Sequence, residues 1–227
     1  MKLRITASVL AAALTAACAP ATTPPRNVDN GLAKLFGIEG SLPRTYAASR
    51  KPERSLTEQD IARQRESFEG THYSPAACWR AARVNTEPAG TKVAGVWAVS
   101  AEEHSRIEFT ASQTREPLAG RSQSDEPQCR AVAFAGRTAD WPDVSGVTTV
   151  IDAPHIDGVQ TYARQTFLTI HDQEQQATLV QYLYLAELDE HHTVMTVFIT
   201  EDDGKANSLT RNDAADLFVK ATQLMHV

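Results

Sequence analysis

Runs of β-branched and aromatic residues that alternate with polar ones dominate the chain between residues 92 and 200. Turn-forming residues separate seven such runs, at the spacing of an antiparallel meander. The runs are Val93–Val99, Arg106–Thr110, Cys129–Ala135, Gly146–Ile151, Val159–Ile170, Ala177–Glu187 and Thr193–Thr200. We therefore expect an antiparallel sheet of about six or seven strands.

Two helix starts precede the strands. Ser55 and Glu58 have the spacing of a capping box, which predicts a surface helix that runs to about Phe68. Ser74-Pro75 places an N-cap residue directly before a proline, and this order predicts a short second helix that ends near Val84. Both helices belong to the first third of the chain, ahead of the predicted sheet.

A longer amphipathic segment closes the chain. Ser208 is placed to cap a helix that runs through Met225, and Leu32–Phe36 forms a short amphipathic piece at the other end. Apolar residues recur at helical spacing on one face of the C-terminal segment, namely Ala214, Leu217, Phe218, Ala221 and Leu224. The whole pattern predicts an α+β fold, with an antiparallel sheet packed against N-terminal helices and a C-terminal helix.

The first 17 residues have the features of a secretory signal peptide. Met1–Arg4 is basic, and Ile5–Ala17 is uncharged, rich in alanine and too short to cross a bilayer core of about 30 Å. Cys18 follows two alanines and so resembles the cysteine of a bacterial lipobox, where the thiol is diacylated and the chain is cut before it. Thr15 stands where lipoboxes prefer leucine, so plain secretion with cleavage near Ala17 stays open as the alternative.

These features divide the chain into three parts. Residues 1–17 form the signal peptide, residues 18–31 form the lipidated Cys18 with a flexible tether rich in Pro and Thr, and residues 32–227 form one α+β domain. The expected location is the outer face of the cytoplasmic membrane, where the chain is held by its lipid. ATP, NAD and reduced thiols are not available there, and we expect no cofactor.

The charge of the chain argues against nucleic acids and anionic lipid surfaces as partners. The sequence holds 22 Lys and Arg against 28 Asp and Glu, a net charge of −6. Cleavage before Cys18 removes Lys2 and Arg4 and no acid, which leaves a net charge of −8. Nucleic acids and anionic lipid surfaces both need basic patches. We therefore expect no nucleic-acid partner, and membrane contact only through the lipid anchor.

Three cysteines occur in the sequence. If Cys18 carries lipid, Cys78 and Cys129 remain as an even pair in an oxidising compartment, and we predict that they form a disulfide. The closed loop is worth about 4 kcal/mol in the chain-entropy model. A CxxC redox motif is absent from the sequence.

The order of these features resembles that of the small lipoproteins of mycobacteria and related actinobacteria. The features that carry the resemblance are the lipobox-like Cys18, the Pro/Thr tether, the segments Leu42–Tyr46 and Ser74–Cys78, Cys129 at the head of a strand, and the Ser-to-Met terminal helix. The soluble part of those lipoproteins is similar to the extracellular sensor domain of mycobacterial serine/threonine kinases. The resemblance implies a two-layer α/β fold with a central groove, a ligand-sensing role and no enzymatic residues.

Candidate chemistry is sparse. His191 and His192 follow two acids, but adjacent residues on a strand point to opposite faces, and HExxH and Cys/His ligand spacings are absent. His155 and His171 both lie in predicted turns, and no G-x-S-x-G elbow accompanies them. We expect no metal site and no catalytic residue.

Tyrosines on the predicted strands are the best candidates for ligand contact. Tyr162, Tyr182 and Tyr184 are predicted to line one face of a groove, since residues two apart on a strand share a face. The leading hypothesis is a non-enzymatic binding or sensor-like domain for a small molecule, an envelope lipid or glycan, or an envelope protein. The alternatives are an accessory scaffold of an envelope secretion or transport complex, and a cryptic hydrolase.

Overall fold

The computed structural model describes residues 31–66, 69–82, 87–117, 127–137, 143–172, 175–201 and 208–226. Within these ranges nine strands form one sheet in the order β1-β3-β4-β9-β8-β7-β6-β5-β2, and every neighbouring pair is antiparallel. The strands are β1 (Ala47–Ser55), β2 (Thr71–Ser74), β3 (Lys92–Ser100), β4 (Ser105–Gln113), β5 (Ala131–Gly136), β6 (Val144–Ile151), β7 (Gln160–Asp172), β8 (Gln175–Glu187) and β9 (His192–Glu201).

The α+β class is confirmed, but the prediction of six or seven strands is too low. The two additional strands, β1 and β2, form the two edges of the sheet. Every residue of β1 is exposed, and β1 carries Pro52 and a register shift between Lys51 and Arg54. Charges, a proline and a bulge are what keep an edge strand from pairing with another chain.

In the described part of the chain, three α-helices accompany the sheet, together with a 3₁₀ helix at Leu32–Ser41 and shorter 3₁₀ turns at Ala76–Cys78 and Pro127–Cys129. The α-helices are α1 (Glu58–Glu66), α2 (Trp79–Ala82) and α3 (Arg211–His226). Within the described residues, no helix is long and apolar enough to cross a membrane. The predicted helix ends at Phe68 and Val84, and the predicted leader and tether at residues 1–30, lie outside the described residues.

The capping box of α1 lies two residues after the predicted one. Thr57 Oγ1 accepts from the Asp60 N–H at 3.1 Å, and Asp60 Oδ2 accepts from the Thr57 N–H at 2.9 Å. Ser55 cannot cap because it is still in β1, paired with Lys92, and the Leu56 N–H donates to the Thr91 carbonyl. The prediction of a cap at Ser55 and Glu58 is therefore wrong.

The same two-residue shift occurs at α3. Thr210 forms the capping box, in which the Asp213 N–H donates to Thr210 Oγ1 and Thr210 donates back to Asp213 Oδ2. The predicted cap, Ser208, instead donates its backbone N–H to the Glu103 carboxylate at 2.9 Å. The C-terminal helix is thus where the sequence predicts it, but its cap is not.

Ser74 does not cap a helix either. It is the last residue of β2, paired with Ala133, and Pro75 is the N-cap of the 3₁₀ turn that precedes α2. Cys129 likewise lies in a 3₁₀ turn rather than at the head of β5.

The larger core lies between one face of the sheet and two helices. We call this face the helix side. The 3₁₀ helix at Leu32–Ser41 and α3 pack here over β3, β4, β9 and β8. The largest fully buried side chains of this core are Leu35, Ile38, Val96, Ile107, Phe109, Tyr184, Val194, Phe198 and Phe218. Burial of such side chains contributes roughly 1.5–3 kcal/mol each.

A second, smaller core lies on the opposite face of the sheet. Cys78 and Cys129 form the predicted disulfide, with Cα atoms 5.3 Å apart, and pack with Val132 and Tyr73. Val132 pairs with Thr148, whereas its neighbour Ala131 points to the helix side. The two ends of the sheet are thus covered on opposite faces.

Candidate functional site

The helices of the described residues leave part of the helix side uncovered, over strands β5, β6 and β7. Ala133, Val147 and Phe167 form a straight cross-strand row there, which continues to Val180 on β8. Val147 is 41% exposed and Phe167 is 48% exposed, whereas Val180 is only 7% exposed. We call the helix side of β5 and β6, together with the helix side of β7 from Gln165 to Thr169, the open face.

The side chains of the open face are small, apolar or hydroxylated, apart from one amide. They are Ala131, Ala133, Ala135, Ser145, Val147, Thr149, Ile151, Gln165, Phe167 and Thr169. None of them carries a charge, although 22% of the whole sequence is Asp, Glu, Lys or Arg. A contiguous exposed apolar surface of this kind is typical of interaction sites.

The reverse side of the open face is rigidly supported. Phe134 pairs with Gly146, and its ring occupies the space where a Gly146 side chain would be. The Tyr73 ring lies 6.4 Å from the Phe134 ring, and the Thr148 and Thr166 hydroxyls hydrogen-bond at 2.9 Å. These contacts hold β5, β6 and β7 in one fixed surface.

The three predicted tyrosines do not line one face. Tyr162 pairs with Leu185 and so lies on the face opposite to Tyr184, the neighbour of Leu185 along β8. The Tyr162 hydroxyl is 3.5 Å from Glu187 Oε2. The strand register therefore contradicts the prediction that all three tyrosines line one face of a groove.

Tyr184 belongs to the larger core. It is 1% exposed, stacks on Phe218 and donates to the Arg211 carbonyl at 3.2 Å, and its burial raises the pKa of its hydroxyl. Tyr182 stacks on Phe198 with ring centroids 6.3 Å apart, and its hydroxyl is 3.4 Å from the Gln165 amide. Tyr182 is therefore the one predicted tyrosine that borders the open face.

His155 and His171, which the sequence places in turns, are both exposed, although His171 belongs to β7. His155 Nε2 is 3.1 Å from Asp157 Oδ1, with side chains 88% and 103% exposed, so this pair lies on an exposed turn and not in a cleft. His171 is exposed at the end of β7. A hydrolytic site would need a nucleophile held against one of these imidazoles in a cleft.

The turn before β9 is organised by Asp189. Its Oδ1 accepts from the backbone N–H groups of His191 and His192, and the His192 ring nitrogen is 2.8 Å from Oδ2. Burial raises the pKa of Asp189, but these hydrogen bonds outweigh it and hold the pKa below its usual value. Within the described residues no group of three His, Cys, Asp or Glu side chains is placed to hold a metal ion.

The open face was not predicted from the sequence, although one signal for it is present there. Phe167 and Leu168 are adjacent on β7, so both faces of that strand carry a large apolar residue at the same point. Leu168 is buried, and Phe167 is the one left exposed.

A protein-family model described as "Domain of unknown function (DUF5642)" matches residues 31–225. The chain belongs to this family. The DUF5642 match therefore covers both cores and the open face.

A similar fold occurs in a solved structure. An uncharacterized protein from Mycobacterium smegmatis, the Rv0999 ortholog, superposes with a TM-score of 0.62 at 18% identity over 86% of this chain and 97% of that chain. The likeness extends to the fold alone. No curated protein matches the chain.

Proposed function

We propose that the chain is a lipid-anchored cell-envelope protein whose DUF5642 domain binds a partner on the open face, without chemistry of its own. The observation that carries this proposal is the uncovered row of Val147 and Phe167, 41% and 48% exposed on a surface without charges. Leaving such side chains in water forgoes about 25 cal/mol per Å² of apolar area, and a partner that covers them would recover it.

The shape of the open face favours a protein surface over a small molecule as the partner. Small-molecule sites are concave and enclose most of their ligand, and a cross-strand row over three adjacent strands offers a broad surface instead. This is the geometry expected of the accessory scaffold, the second of the hypotheses drawn from the sequence. The resemblance to kinase sensor domains supports a binding role of either kind.

The location rests on Cys18 and the leader before it. We propose cleavage after Ala17 and diacylation of the Cys18 thiol, which holds the acidic domain at the outer face of the cytoplasmic membrane. The disulfide Cys78–Cys129 supports this location, because disulfides persist in oxidising compartments.

The test is native and denaturing mass spectrometry of protein purified from membranes of a lipoprotein-competent actinobacterial host. A denaturing mass with an acylated Cys18 supports the anchor, and an unmodified secreted chain overturns it. In the native spectrum, a bound partner that is lost in Phe167→Glu supports the proposal.

The matched control is Trp97→Glu. Trp97 is 42% exposed, nearly as much as Phe167, and lies on β3 on the opposite side of the sheet from α3. A partner that both variants lose, or that neither loses, contradicts the open face as its binding site.

A further inference from the structure

We propose that the partner on the open face is a second copy of this chain, packed face to face about a two-fold axis that runs along β6. This inference rests on the proposed function, in that it takes the open face as the binding surface. Two observations support it, namely the absence of charge and the arrangement of large and small side chains. The area of the surface sets the strength that we expect of the dimer.

The absence of charge favours a copy over a different partner. Side chains near a two-fold axis face their own counterparts, so any charge there would meet an identical charge. Two copies of the mature chain, each with a net charge of −8, repel each other on most surfaces. The open face carries no charged side chain, and it also offers nothing for an oppositely charged partner to pair with.

The arrangement of side chains is self-complementary. Phe167 is the largest residue of the row and lies on β7, Ala133 is the smallest and lies on β5, and Val147 lies between them on β6. A two-fold axis along β6 exchanges β5 and β7. Each Phe167 then covers the partner's Ala133, and Val147 meets its own counterpart.

The same axis keeps the strands of both sheets in nearly the same direction, as aligned sheet packing requires. Facing sheets pack about 10 Å apart. Phe167 of one copy fills this gap over Ala133 of the other, and the Val147 side chains of both copies fill it at the axis.

The area fits a weak dimer. The open face spans three strands at about 4.8 Å each and roughly 23 Å along β6. Each copy then contributes roughly 330 Å², or about 660 Å² in total, which is below the roughly 1,000 Å² of a stable specific interface and so limits the contact to a weak, reversible one. We expect a dissociation constant in the micromolar range.

The first experiment is analytical ultracentrifugation of the mature chain carrying Cys18→Ser, which removes the lipid without touching the domain. We expect a reversible monomer–dimer equilibrium in the micromolar range. Phe167→Glu should raise the dissociation constant by about tenfold or more, since it places a charge on the partner's Ala133. Trp97→Glu is the matched control and should leave the dissociation constant unchanged.

The second experiment tests the axis with a short bismaleimide cross-linker on single-cysteine variants. Val147→Cys should cross-link to itself across about 10 Å, and Ala133→Cys should react less because its counterpart is about 14 Å away. Trp97→Cys should not cross-link. The native disulfide stays closed and does not compete.

A chain that stays monomeric well above the micromolar range overturns this inference, as does equal cross-linking of all three variants. If that monomer still binds a partner that Phe167→Glu removes, the proposed function stands without the dimer. If Phe167→Glu changes neither the dimer nor any bound partner, both proposals fail.

Discussion

The ring of Tyr184 stacks on the ring of Phe218 with centroids 5.5 Å apart, and this pair joins the middle of the sheet to α3. Phe218→Ala should lower the free energy of unfolding by about 3–5 kcal/mol, because it leaves a cavity in the larger core, where Phe218 is fully buried. Tyr184→Phe removes only the hydrogen bond to the Arg211 carbonyl and should cost about 1 kcal/mol. Urea denaturation measures the loss of stability in both variants. If Tyr184→Phe destabilised the protein as much as Phe218→Ala, ring packing would not be the main contribution of this pair.

The disulfide should stabilise the end of the sheet that α3 does not cover. Cys129→Ser should reduce stability by about 4 kcal/mol and lower the melting temperature by roughly 8–16 °C. Calorimetry checks this, and Cys78→Ser is the control that should give the same result. An unchanged melting temperature, together with free thiols detected in the wild type, would contradict the presence of the disulfide.

The capping box of α3 makes stability depend on pH. Hydrogen bonds from the Thr210 hydroxyl and backbone N–H hold the pKa of Asp213 below its usual value. A lowered folded-state pKa contributes stability that is present above the unfolded pKa of about 3.9 and is lost as pH falls through the folded pKa.

Asp213→Asn should therefore reduce stability at neutral pH and flatten the loss of stability below about pH 4. Thr210→Ala should cost about 1 kcal/mol at pH 7. Denaturant titrations between about pH 2 and pH 7 measure the stability of both variants. If wild type and Asp213→Asn lost the same stability at acid pH, the proposed link between the Asp213 pKa and stability would be refuted.

Gly146 is required by close packing on both sides of β6. A methyl group there would meet the Phe167 carbonyl oxygen and the Phe134 ring. Gly146→Ala should destabilise the protein by about 1–3 kcal/mol. Gly40→Ala is a matched control, because a Cβ at Gly40 meets nothing within 4 Å, and its effect should stay within about 0.5 kcal/mol. Thermal unfolding that ranks the two variants in the opposite order would contradict this account.

The sequence pattern predicted the long interior strands well because their own residues determine them. Tyr182 and Phe198 lie in two of the predicted runs, and they are directly paired between β8 and β9. The edge strand β1 was missed because its sequence is polar and contains Pro52. Its conformation comes from pairing with β3, a tertiary contact that overrides local propensity.

The candidate site could not be predicted from the residues alone. Phe167 resembles a core residue in sequence, and its exposure follows from where α3 packs relative to β7, which no local pattern encodes. The shifted caps have the same origin. Ser55 and Thr57 both precede an acid by three residues, and the pairing of Ser55 with Lys92 decides between them.

The position of β9 has a consequence for the order in which the chain can fold. β9 lies between β4 and β8, and Ser105 pairs with Thr200, so the larger core needs residues from both ends of the domain. A growing chain that has reached only residue 190 lacks β9 and α3 and cannot close this core. The segment that carries β9 and α3 thus controls when the domain becomes compact, because without it the larger core has neither its middle strand nor its covering helix.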